Sequence, residues 1–217
     1  MDTLQQASTW STVDRLPGKN IVGSKWVFHI KRKADSTIKK YKARLVAHGF
    51  TQVYGVNYLE TFSPVAKLAS FRTILAIAAC HDWDIESFDF NGAYLNGTLG
   101  DGEEIYMQEP PEYETQGEIS VKQLHKASYG LKQAGRKWYE ALSSALIDLS
   151  FHVSEADPGV FIARPQHHIL IIAIHVDNCA FTGSLPSLID EYRGKLNACY
   201  SLTDLGPIHW LLGIKIT

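Results

Sequence analysis

From Trp83 onward, apolar runs of strand length alternate with amphipathic stretches of helical length, in an order that restricts the possible sheet topologies. The strand pattern DIESFDF carries Asp89 and Phe90 at its end. A loop-rich stretch follows, with Gly92, Gly97, Gly100, Gly102 and the pair Pro110 and Pro111. Periodicity then predicts a long amphipathic helix over about 132–149, strands at GVFIA, ILIIAIHV and CAFTG, a helix over about 186–199 and a closing strand near HWLLGIKI. With the loop-rich stretch set aside as an insertion, the order is β-α-β-β-α-β, the split ferredoxin-like unit. The expected fold class is therefore α+β, an antiparallel sheet with both helices on one face. With 217 residues, 45% of them hydrophobic, the chain can bury one substantial core and divide into one or two domains.

Ahead of this unit, SKWVFHIKRK and IKKYKARLVA read as two strands joined by the polar turn ADST, an N-terminal β-ribbon. The ribbon gathers Lys31, Arg32, Lys33, Lys39, Lys40, Lys42 and Arg44 within fourteen positions, opposed only by Asp35. Over the whole chain 21 Lys and Arg meet 23 Asp and Glu, a net charge of -2, so any attraction to a polyanion must be local. The ribbon is either such a phosphate-binding patch or a solvated hairpin with snorkelling lysines. Next comes SFRTILAIAAC, a packing helix with Ser70 as its expected N-cap.

Three cysteines, Cys80, Cys179 and Cys199, without a C-x-x-C pair argue against a disulfide framework or a zinc site, and a reducing intracellular setting is expected. The N-terminal text has neither a basic start nor an apolar run. The longest apolar stretch, Ile169 to Val176, is broken by His175 and falls far short of the roughly 20 residues a membrane helix needs, so no membrane partner is expected.

In a split ferredoxin-like sheet the first strand lies beside the central hairpin, which would bring Asp89 and Asp177 to one sheet end. Two carboxylates opening onto solvent suit Mg²⁺, which takes a few carboxylate oxygens and keeps room for water and phosphate. The competing explanation is turn chemistry, because Asp-Asn between two apolar runs also answers the needs of a tight hairpin.

Eight strings, in order, cover the chain from about Trp10 to Ile216: GSKWVFHIKRKAD, YKARLVAHGFTQ, ETFSPVAKLASFR, FDFNGAYLNG, YGLKQAGRKWY, ADPGVFI, HVDN and LGPIHWLLGIKI. Together they resemble the reverse transcriptase domain of copia-type retrotransposons. The resemblance implies a right-hand polymerase palm and fingers without a thumb. Residues 1–82 would form fingers, a β-hairpin and packing helix. Residues 83–217 would form the palm, with an insertion at about 91–131 contributing to the fingers and a primer-grip hairpin at the end.

The implied activity is RNA-directed DNA synthesis. Asp89 and Asp177 would bind two Mg²⁺ ions, or Mn²⁺, with the backbone carbonyl of Phe90 as a further ligand. Lys42 and Arg44 would hold the incoming deoxynucleoside triphosphate. Tyr94 would stack under its sugar and exclude a 2′-hydroxyl, or else be a plain core aromatic. Gln133 would contact the nucleotide, Lys132, Arg136 and Lys137 the template phosphates, and His209 and Trp210 the primer. Trp26, Trp83 and Trp138 read as core. Implied partners are an RNA or DNA template with its primer and, in a full element, the thumb, ribonuclease H and integrase parts of the polyprotein. The implied setting is intracellular, a cytoplasmic virus-like particle and the nucleus.

The sequence also departs from the family text. Asn178 stands where a second consecutive Asp belongs, lowering three carboxylates to two and predicting impaired metal-dependent activity. Ser36, Glu112 and Ser150 replace glycines, Asn57 replaces Asp, Ser128 replaces Leu and Gly135 replaces Pro. A lost glycine is unfavourable wherever a turn needs positive φ. Five of these seven changes, at 36, 57, 112, 150 and 178, are reachable by a G-to-A base change, the pattern expected of an element free of selection. Three readings follow: a polymerase with impaired turnover, a non-catalytic nucleic-acid-binding module, and an inert scaffold.

Overall fold

The computed structural model describes residue 4 and residues 8–32, 36–100, 102–109 and 120–216. Lys33, Asp35, Pro110, Pro111 and Glu112 lie outside the described residues. In chain order the elements are β1 (Trp10–Asp14), β2 (Ile21–Val22), β3 (Ser24–Arg32), β4 (Ile38–Ala47), α1 (Leu68–His81), β5 (Ile85–Phe90), β6 (Ile105–Met107) and β7 (Ser120–Leu124). Then come α2 (Ala134–Asp148), β8 (His152–Val153), β9 (Val160–Ala163), β10 (Leu170–His175), β11 (Asn178–Gly183), α3 (Pro186–Cys199), β12 (Leu202–Pro207), β13 (Trp210–Leu211) and β14 (Ile214–Lys215). The fold class is α+β, and the chain divides into two units, 1–62 with 94–138 and 63–93 with 139–217.

The first unit holds a four-stranded sheet in the order β1-β7-β6-β2 and the two-stranded ribbon β3-β4. Strict alternation gives the ribbon two faces. Trp26 opposite Leu45, Phe28 opposite Ala43 and Ile30 opposite Tyr41 line one; Val27 opposite Arg44, His29 opposite Lys42 and Lys31 opposite Lys40 line the other. The core beneath gathers Val22, Leu45, Ile105, Met107, Leu124 and Leu131, with Trp26 and Tyr94 packed against it. The stretch read as loop-rich supplies β6 and β7, strands whose pairing with β1 and β2 no local pattern announced.

The second unit is built on a six-stranded antiparallel sheet in the order β12-β5-β11-β10-β9-β8. Its middle strand β10 reads LIIAIH, apolar at nearly every position because both faces are covered. On one face Ile171, Ala173, Ala180 and Val160 pack with Phe71 and Ile74 of α1. On the other, Phe161 and Phe181 both register with Ile172. Tyr139 of α2 meets Phe161, while Phe151 joins Phe181 to Tyr192 of α3. Phe151, Phe161 and Phe181 are essentially inaccessible, each contributing about 1.5–3 kcal/mol of burial.

Three expectations are corrected. The closing edge strand is β12, not HWLLGIKI, which folds back on itself as the separate hairpin β13-β14. Helix α1 belongs to the second unit, since Phe71 and Ile74 are part of that unit's core. Ser70 is not the N-cap of α1: the helix begins two residues earlier, and its capping acceptor is distant. Asp157 Oδ2 accepts the Lys67 N–H at 2.7 Å and the Ser70 hydroxyl, while its Oδ1 accepts the Gly159 N–H at 3.0 Å. Gly159 is required there, because a Cβ would sit 2.1 Å from the Ala66 nitrogen. Burial alone would raise the Asp157 carboxyl, but the hydrogen bonds from Ser70, Lys67 and Gly159 outweigh it and hold the group below its ordinary value.

Candidate functional site

His175 pairs with Asn178 at the end of β10 and β11, so the hairpin loop consists of Val176 and Asp177 alone. Val176 has φ 61, a left-handed conformation that two-residue hairpin loops normally give to glycine. A β-branched residue there is a true outlier, costing about 1–3 kcal/mol. Of the Asp-Asn pair, only Asp177 occupies a central position of the turn. Asn178 has already entered β11, where it faces Asp89 of β5.

The loop is tied to β5 by the Phe90 N–H, which donates to the Asp177 carbonyl at 2.8 Å. Asn178 Nδ2 donates to Asp177 Oδ1 at 3.0 Å. Asp89, Asp177 and Asn178 are therefore gathered at one end of the sheet, each half-buried. Behind them the Phe90 ring is buried and packs edge-on to Tyr200. Among the described residues no group of three or more His, Cys, Asp or Glu side chains is arranged as a metal cluster. What is present, two carboxylates and an amide oxygen, fits a hard divalent cation of the kind that needs only one or two protein carboxylates. Cys179, beside Asn178, is no nucleophile: burial pushes its thiol up to about 12.

The other anticipated residues fall into distinct situations. Lys42 and Arg44 lie on the basic face of the ribbon, both half-buried. The Arg44 guanidinium sits over the Tyr129 ring at 5.1 Å, and Tyr129 meets Tyr94 edge-on, also at 5.1 Å. Tyr94 follows β5 in a short 3-10 turn over Ala93–Asn96. Lys132 is exposed, its Nζ donating to the Tyr58 hydroxyl at 3.1 Å. Arg136 pairs with Glu60, and Lys137 with Glu103 at 2.7 Å. His209 and Trp210 are exposed, and Trp210 opens β13.

Gln133 is enclosed. It is 0% exposed, its Oε1 accepts Gln52 Nε2 at 3.0 Å and its Nε2 donates to the Asn57 carbonyl at 2.8 Å. Both ends of the amide are committed inside the first unit, so in this structure it is an internal strut between Gln52 and Asn57. Reading the sequence also missed Tyr129, because its significance lies in what stacks on it, and Val176, whose strain emerges only once the hairpin register is known.

Two of the departures from the family text sit where a glycine is called for, Ser36 and Ser150 both having φ 66. Ser128 is fully buried with no hydrogen-bond partner for its hydroxyl. Asn57, by contrast, is well used: its Oδ1 accepts the Val53 N–H at 3.1 Å.

A family profile described as reverse transcriptase (RNA-dependent DNA polymerase) matches residues 7–217. The chain is 38% identical over 218 residues to the Retrovirus-related Pol polyprotein from transposon TNT 1-94 of Nicotiana tabacum, covering 100% of this chain and 16% of that protein. It is likewise 38% identical over 209 residues to the Retrovirus-related Pol polyprotein from transposon RE1 of Arabidopsis thaliana, covering 95% of this chain and 14% of that protein. The chain thus spans about a sixth or less of the length of these relatives.

Proposed function

The chain belongs to the reverse transcriptase (RNA-dependent DNA polymerase) family, and from that premise we propose that it acts in RNA-directed DNA synthesis, as one part of a copia-type Pol polyprotein. The observation that carries this reading is the meeting of Asp89 and Asp177 at one sheet end, with Asp177 held in a two-residue loop on a strained Val176. In this reading the second unit is the palm and the first the fingers.

The two carboxylates would hold divalent cations, Mg²⁺ or Mn²⁺, with the Phe90 carbonyl as a further oxygen. Bound there, two such ions lower the pKa of a primer 3′-hydroxyl and stabilise the pyrophosphate leaving group. The side chains themselves perform little covalent work. Lys42 and Arg44 would neutralise the triphosphate, and Tyr94 would limit the space beside the sugar. Lys132, Arg136 and Lys137 would meet template phosphates, the latter two by exchanging their carboxylate partners, while His209 and Trp210 would meet the primer. Thumb, ribonuclease H and integrase portions would be the polyprotein partners, and the setting intracellular. No helix among the described residues is long and apolar enough to cross a membrane.

Asn178 favours a second reading, a nucleic-acid-binding module with little or no turnover. An amide in place of a carboxylate leaves the site one negative charge short for two dications. Primer extension on an RNA template with Mg²⁺ or Mn²⁺, comparing the chain with its Asn178→Asp variant, tests the proposal. Extension by the variant and little by the parent is the expected result. Failure of both, with binding to an RNA/DNA duplex that weakens steeply with salt, would favour the module.

A further inference from the structure

Arg44 is a half-buried cation of the first unit. Three other half-buried basic side chains of that unit are matched, Lys122 with Glu109, Arg136 with Glu60 and Lys137 with Glu103. Arg44 has no such carboxylate among the described residues, and its Nε is buried without a hydrogen-bond partner. A half-buried guanidinium left without a counterion carries a desolvation cost that a bound anion would relieve. What holds it is the face of Tyr129, 5.1 Å from the guanidinium carbon.

Tyr129 is itself anchored to the strand that bears Arg44. Its carbonyl accepts the Ala47 N–H at 2.8 Å, at the end of β4. The next residue, Gly130, has φ 90, and a Cβ there would lie 2.1 Å from the Ala47 carbonyl oxygen. This close approach, open only to glycine, fixes the Tyr129 ring relative to the ribbon. The far side of the arrangement is Tyr94, whose ring meets Tyr129 at 5.1 Å and 68°.

We infer that Tyr129 is a positioning residue for nucleotide binding: its ring holds the Arg44 guanidinium flat and ready for the triphosphate of an incoming nucleoside triphosphate. The inference rests on the polymerase reading above, in which Tyr94 faces the sugar. One aromatic platform then carries the phosphate-facing cation and the sugar-facing ring together, an arrangement suited to a nucleotide rather than to a lone backbone phosphate. The contact uses the ring face, so the hydroxyl is dispensable.

Phosphate capture needs no turnover and can be measured on the chain as it stands. Sodium tripolyphosphate would be titrated against the parent and its Y129F, Y129L and R44Q variants, with circular dichroism as the folding control. The expected result is equal affinity for the parent and Y129F and an affinity lower by about fivefold for Y129L and R44Q. In the parent, the Arg44 Nε–H resonance, identified by its loss in R44Q, should move on addition of tripolyphosphate, a readout that survives if Y129L does not fold. Parental affinity in Y129L, equal loss in Y129F, or a stationary Arg44 resonance overturns the inference. Primer extension by Asn178→Asp combined with any of these would sink the role of Tyr129 alone; the expected tripolyphosphate pattern without primer extension would sink the catalytic reading alone.

Discussion

Asn178 stands directly opposite Asp89 on the neighbouring antiparallel strand, and its side-chain amide donates to Asp177 at 3.0 Å. The amide therefore satisfies a carboxylate that a second Asp would repel. Restoring Asp at 178 sets like charges opposite each other, costing about 0.2–1 kcal/mol, and forfeits one hydrogen bond. In EDTA, Asn178→Asp should thus be less stable than the parent by about 1 kcal/mol. Millimolar Mg²⁺ or Mn²⁺ should restore the variant and affect the parent less, because only the variant gains a third anionic ligand. Thermal unfolding midpoints with and without the cation check this, and identical responses of the two proteins would contradict it.

Ser150 ends α2 in a Schellman arrangement. The Phe151 N–H donates to the Leu146 carbonyl at 2.9 Å and the Ser150 N–H to the Ile147 carbonyl at 2.8 Å, with Ser150 at φ 66 between them. Leu146 and Phe151, the two positions whose hydrophobic contact commonly accompanies this motif, are both buried. A serine there pays a left-handed penalty of about 1 kcal/mol that glycine avoids. Ser150→Gly should raise stability by that amount and the melting temperature by about 2–4 °C. A shift in the urea midpoint without a change in slope would be the matching observation.

The limits of the sequence follow from the range of the interactions concerned. Helix α3 occupies Pro186–Cys199, the span its periodicity predicts, because the pattern is contained within the helix itself. The ribbon strands likewise agree with the alternation that announces them. Ser70 misled because a serine ahead of an apolar run looks like a cap, whereas the acceptor that serves α1 is Asp157, distant in sequence. The enclosure of Gln133 has the same origin: its nucleotide contact was implied by resemblance, whereas its partners Gln52 and Asn57 come from a loop far upstream that the local text does not reveal. At the candidate site both aspartates were visible as strand-end carboxylates. The strain at Val176 and the Arg44–Tyr129–Tyr94 stack depend on register and tertiary contact, which no local pattern encodes.

Asp157 gives the fold an acid-sensitive joint. Its carboxyl is held below the ordinary value of 3.8, since hydrogen bonds from Ser70, Lys67 and Gly159 outweigh the effect of burial. A depressed folded-state pKa contributes stability that is fully present above the unfolded value and is lost as pH falls through the folded one. Asp157→Asn should therefore cost about 1–3 kcal/mol at pH 7, where charged hydrogen bonds are replaced by neutral ones. The gap between parent and variant should narrow as pH drops below 3.8. Urea unfolding across that range gives the answer, and a gap independent of pH would show that the charge on Asp157 is not what holds α1.

Val176 offers the sharpest separation of stability from function. Its φ of 61 is strained for a β-branched residue and natural for glycine. Val176→Gly should relieve part of the strain, and after the extra chain entropy of glycine is subtracted, stability should rise by up to about 1 kcal/mol. The same change frees the loop that fixes Asp177, since the residue preceding it can then sample both signs of φ. In the Asn178→Asp background, where turnover is expected, primer extension should consequently fall on the order of tenfold, because small displacements of a metal-binding carboxylate are costly to an in-line reaction. Stability and activity would move in opposite directions, the signature of strain retained for positioning. A variant that loses both would instead mean that the Val176 side chain holds the hairpin through its packing and that the backbone conformation carries no stored energy.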